Sequence, residues 1–112
     1  MLQAKNDEWH LWFNMMPPGP PFLHVTAQLV APDNATGADL SRHSIEKSNP
    51  PNLILELTEK TIFASSDGGG GERVVRVHYS EQALPGSYGA IKILAGGKIV
   101  KEFPASEIDL VY

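Results

Sequence analysis

Four histidines, His10, His24, His43 and His78, are the residues of this chain best suited to chemistry. Imidazole ligates first-row metals and exchanges protons near neutral pH. A metal site on one element needs its histidines two or four residues apart, as in H-E-x-x-H on a helix. No pair here has that spacing, so convergence would have to come from different strands. His24 lies in FLHVTAQLVA, residues 22–31, and His78 in RVVRVHY, residues 73–79. In both stretches the apolar residues alternate, which turns the histidine outward. Glu56, in LILELTEKTIFA (53–64), faces outward by the same count. If these strands were neighbours in one sheet, two imidazoles and a carboxylate would form a zinc set. The expectation is instead three solvated side chains on an open face, with no metal and no cofactor.

Gly68 to Gly71 offer a second possible chemistry, a phosphate cradle. A phosphate loop reads G-x-x-x-x-G-K-[ST], with the lysine on the phosphates and the hydroxyl on magnesium. Gly71 is followed by Glu72 and Arg73, so both groups are missing. The dinucleotide pattern G-x-G-x-x-G fails too, because Gly68 and Gly70 would need a glycine where Arg73 stands. Both motifs also open a helix whose dipole holds the anion. A strand pattern comes next instead, so the glycines are expected to turn the chain between strands.

Catalytic patterns are absent. The acidic residues Asp7, Glu8, Glu56, Glu107 and Asp109 have no recognisable acid–base context, and no G-x-S-x-G elbow occurs. The chain has no cysteine, which excludes thiol catalysis, disulfides and thiolate metal sites. The expectation is a protein that is not an enzyme. Its net charge is −4 with no cluster of lysine and arginine. That argues against nucleic acid and against anionic membranes as partners. The start, MLQAKNDEWHLWF, has acids where a signal peptide would need an apolar run, and nothing approaches a transmembrane length. A cytoplasmic protein is expected.

These side chains must be positioned by short elements. The chain of 112 residues has ten glycines and nine prolines, a density that breaks helices and suits strands joined by turns. FLHVTAQLVA is the clearest strand, with Leu23, Val25, Ala27 and Leu29 on one face. RVVRVHY places Val75, Val77 and Tyr79 inward and Arg76 and His78 outward. ADLSRHSIEKS is a weaker strand, because Leu40 and Ile45 differ in parity, and Ile62 and Phe63 break the parity of the 53–64 run. Gly96-Gly97 between two alternating runs predicts a tight hairpin. Asn49-Pro50-Pro51-Asn52 is a turn in which one X–Pro bond suits the cis form.

The first segment fits two periods. On a helix Trp9, Trp12, Phe13 and Met16 form one stripe, with Asn6 as N-cap; on a strand Trp9, Leu11, Phe13 and Met15 alternate with His10, Trp12 and Asn14. The helical stripe is slightly preferred. Pro17 to Pro21 would end either element as an extended spacer.

The predicted fold is all-β, an antiparallel β-sandwich of immunoglobulin-like architecture with about six to eight short strands. Its parts are an aromatic arm (1–16), a proline spacer (17–21) and the sandwich (22–112). The expected function is a non-enzymatic binding or assembly module that engages a protein partner or forms a homodimer. Trp9, Trp12, Phe13 and Met16 would be its contact residues, because exposed rings and thioethers mark interfaces. The alternative is a small-molecule or carbohydrate-binding protein, or with less support a hydrolase, using the polar face of His24, Glu56, Arg76 and His78.

Overall fold

The computed structural model describes residues 3–31, 36–61 and 73–112. Eight strands lie among them: β1 (Gln3–Asn14), β2 (Phe22–Ala31), β3 (Thr36–Glu46), β4 (Asn52–Thr61), β5 (Arg73–Gln82), β6 (Ala90–Ala95), β7 (Lys98–Pro104) and β8 (Asp109–Val111). A short 3-10 turn, Ala105–Glu107, links β7 to β8. The strands form two four-stranded sheets, a front sheet ordered β5-β2-β1-β8 and a back sheet ordered β3-β4-β6-β7. The all-β sandwich expected from the turn spacing is therefore the observed architecture.

The sheets and their strands differ from the expectation in two ways. Both sheets are mixed, because β1 pairs with β8 in parallel and β4 with β6 in parallel. Hairpin neighbours must be antiparallel, but strands joined through the other sheet need not be. β5 in the front sheet separates β4 from β6, and nearly the whole chain separates β1 from β8. Nor are the strands short, since β1 to β5 each span ten residues or more.

The N-terminal segment is a strand, not a helix, and it is not a separate arm. β1 lies between β2 and β8. The strand period wins because it sends Leu11 and Phe13 into the core, at 5% and 4% exposure. A helical stripe would have excluded Leu11 and left the edge of β2 without its hydrogen-bonding neighbour. Asn14 pairs with Phe22, so Pro17 to Pro21 lie in the β1–β2 connection and do not separate two units. The Pro17–Pro18 and Asn49–Pro50 peptide bonds are cis.

The core is built by alternation. Leu23, Val25 and Leu29 of the front sheet meet Leu53, Leu55, Ile91 and Ile93 of the back sheet, all essentially without solvent contact. Each such side chain contributes roughly 1.5–3 kcal/mol by burial. The weak pattern of β3 has a local cause. Its register slips between Arg42 and Ser44, a bulge at His43. The extra residue lets Leu40 and Ile45 stand opposite Leu57 and Leu53 despite their opposite parity, although Ile45 stays 41% exposed. Gly96 and Gly97 have φ of 60° and 80°, both left-handed, as a two-residue type I′ hairpin demands. The four glycines, and the parity break at Ile62 and Phe63, lie outside the described residues; the stretch after the glycines is strand β5.

Candidate functional site

The outer face of the front sheet carries most of the candidate polar side chains. Burying Leu23, Val25, Ala27 and Leu29 leaves Phe22, His24, Thr26 and Gln28 of β2 on the other side. The registers then fix their neighbours. Trp12 of β1 stands opposite His24, with Asp109 of β8 beyond it. One rung along, His10 and His78 flank Thr26 from β1 and β5. One rung further, Arg76 stands opposite Gln28.

The rings of this face touch in series. The His10 and Trp12 centroids are 4.7 Å apart. Trp12 stacks on His24 at 5.0 Å with planes 16° apart, and Phe22 lies 6.4 Å from His24. The His24 and His78 ring planes are nearly parallel, 8° apart, with His24 Nδ1 3.0 Å from His78 Nε2. One of these nitrogens donates and the other accepts. Partial burial, and then repulsion from His78, hold the His24 imidazole below its ordinary pKa. His10 Nε2 meets Asp109 Oδ2 at 3.3 Å, an exposed contact that adds little stability.

Of the residues singled out for a polar-face site, three share this surface: His24, Arg76 and His78. Glu56 does not. It lies on β4 of the back sheet, between the inward Leu55 and Leu57, with the sandwich core separating it from the histidines. The zinc set of two imidazoles and a carboxylate is therefore not assembled, and no three metal-ligating side chains cluster among the described residues. Alternation could place Glu56 outward, but not choose its sheet.

The expected contact stripe is also divided. Phe13 is in the core. Trp9 packs against the core, with its ring 5.9 Å from Phe103 and its indole N–H buried without an acceptor among the described residues. Trp12 alone reaches the outer face among the rings of the stripe, and Met16 is 51% exposed past the end of β1. His10, Phe22 and Asp109 join the face although they were not among the expected site residues. The signal for His10 was in the strand reading of β1, which placed it with Trp12.

Two concavities bear on this arrangement. A shallow one of about 480 Å³ adjoins the ring series and is lined by His10, Thr26, Gln28, Arg76 and His78. A larger cleft of about 680 Å³ lies away from the rings, between Trp9, Glu56, Leu57, Val100 and Lys101.

A separate polar cluster ties the β5–β6 connection to β5. Tyr79 and Tyr88 both donate to Glu81, at 2.6 and 2.5 Å. Burial, with the bond to Glu81 second, raises both phenols, Tyr88 to about 12. The phenols are held neutral in this way and donate to the shared carboxylate.

No helix among the described residues is long and apolar enough to cross a membrane. No protein-family model matches the chain, and no curated protein or solved structure does so either.

Proposed function

We propose that the protein is a non-enzymatic binding module that self-associates through the outer face of its front sheet. The observation that supports this is the composition of that face. Phe22, His24, Trp12, His10 and His78 form one continuous surface of rings across three strands, with Arg76 and Asp109 at its margins. A ring-rich centre with a polar rim is the anatomy of a protein interface. The contact role expected of the whole N-terminal stripe passes to Trp12 alone among its rings.

Light scattering after size exclusion tests the reading. The wild type is expected as a dimer, and Trp12→Ala with His24→Ala as a folded monomer. A wild type that stays monomeric at the highest concentration reached would refute self-association.

A second reading, small-ligand binding, is favoured by the concavity beside the rings. Its five polar lining side chains come from three strands.

A further inference from the structure

We infer that the concavity around Arg76 binds the phosphate or carboxylate group of a small ligand. The inference rests on the small-ligand reading and does not require self-association. The donor set is its basis. Arg76 brings a guanidinium with five N–H donors in a planar fork that matches an oxyanion. It has no ion-pair partner among the described residues. Gln28, directly across the ladder, adds an amide N–H₂.

The two imidazoles line the hollow from opposite sides. The Asp109 carboxylate only accepts, so His10 Nε2 donates to it and the Nδ1 of a neutral His10 ring offers a lone pair. In the tautomer whose His78 Nε2 accepts from His24 Nδ1, the His78 Nδ1–H remains as the donor for the anion. Neighbouring strands are about 4.8 Å apart, so β5, β2 and β1 bring these groups within roughly 10 Å of one another. The Thr26 hydroxyl lies between them, occupied only by a long 3.4 Å bond to the His10 carbonyl.

Charge completes the argument. The described residues lining the concavity include an arginine and no carboxylate, although the chain as a whole carries −4. A donor-rich hollow on an acidic protein selects an acceptor-rich group. Its volume of about 480 Å³ exceeds a bare phosphate and falls within the range of small-molecule sites.

Nuclear magnetic resonance titration of the full chain tests this with four probes: inorganic phosphate, phenyl phosphate, benzoate and methyl glucoside. Saturable shifts at Arg76, Gln28 and His78 are expected for at least one anion, with a dissociation constant on the order of 1 mM or tighter. The phosphate and benzoate arms separate the two oxyanion classes. Arg76→Gln, at an exposed position, should keep a wild-type dispersed spectrum and bind that anion about tenfold more weakly. Unchanged affinity in Arg76→Gln would overturn the inference. Saturation by methyl glucoside alone would overturn it too, while leaving the small-ligand reading in place. No saturation by any probe would overturn both.

Discussion

Replacing Phe13 and Met16 separately by alanine distinguishes a core strand from a detachable arm. Phe13 is 4% exposed and Met16 51%. A buried phenylalanine removes roughly 150–250 Å² from water, an upper limit of about 4–6 kcal/mol at 25 cal/mol per Å². Measured phenylalanine-to-alanine losses in cores run at about 3–5 kcal/mol. Set against a whole-domain stability of roughly 5–15 kcal/mol, Phe13→Ala should leave a barely stable fold. Met16→Ala should change stability by less than about 0.5 kcal/mol. Urea denaturation followed by tryptophan fluorescence gives both values, and repeating it at two protein concentrations supplies the decisive control. A loss inside one molecule is independent of concentration, whereas a loss at an interface is recovered by mass action. If the Phe13→Ala deficit shrank at high concentration, or if Met16→Ala cost as much, β1 would not be a strand of its own sandwich.

Two further outcomes rest on local geometry. Gly97 has φ of 80° and open space where a Cβ would stand, so Gly97→Ala should cost about 1–2 kcal/mol by backbone conformation alone; Gly19→Ala, equally open but without a positive φ, should be neutral or slightly stabilising in the same thermal melt. Tyr88 is held neutral, its pKa raised from 10.0 to about 12, so its contribution, at most about 3 kcal/mol, is complete below pH 10 and is lost as pH rises from there through the folded value. Urea midpoints at about pH 9 and about pH 11 should therefore fall more in wild type than in Tyr88→Phe, and equal falls would contradict that linkage.

Much of the fold was legible because single strands declare their faces. β2 and β5 alternate without interruption, and their inward residues are those in the core. The Gly96-Gly97 turn was equally plain. β1 was ambiguous because Trp9 and Phe13 satisfy both periods, and only the neighbouring edge of β2 and the slot for Leu11 decide between them. β3 looked weak because one bulged residue, His43, shifts its phase, and a bulge is a two-strand property. The site divides along the same line. That His24 and His78 face outward is local; that they meet is a consequence of the β2–β5 pairing. Glu56 has the same outward parity but belongs to the other sheet. Strand partnership is set by long-range packing, which periodicity does not encode.

The parallel pairing of β1 with β8 has a consequence for how the protein is made. Trp12 pairs with Asp109, 97 positions later, and Val111 accepts from the Met15 amide at 2.7 Å. During synthesis β1 can find β2 almost at once, but its other edge waits until β8 has emerged. Through that interval the nascent chain carries an unpaired edge beside its most aromatic strand, the condition in which partly made β-proteins join one another. A ribosome that stalled or terminated before residue 109 would release a chain with that edge permanently open. The codons for β8 therefore bear on solubility out of proportion to its three exposed residues.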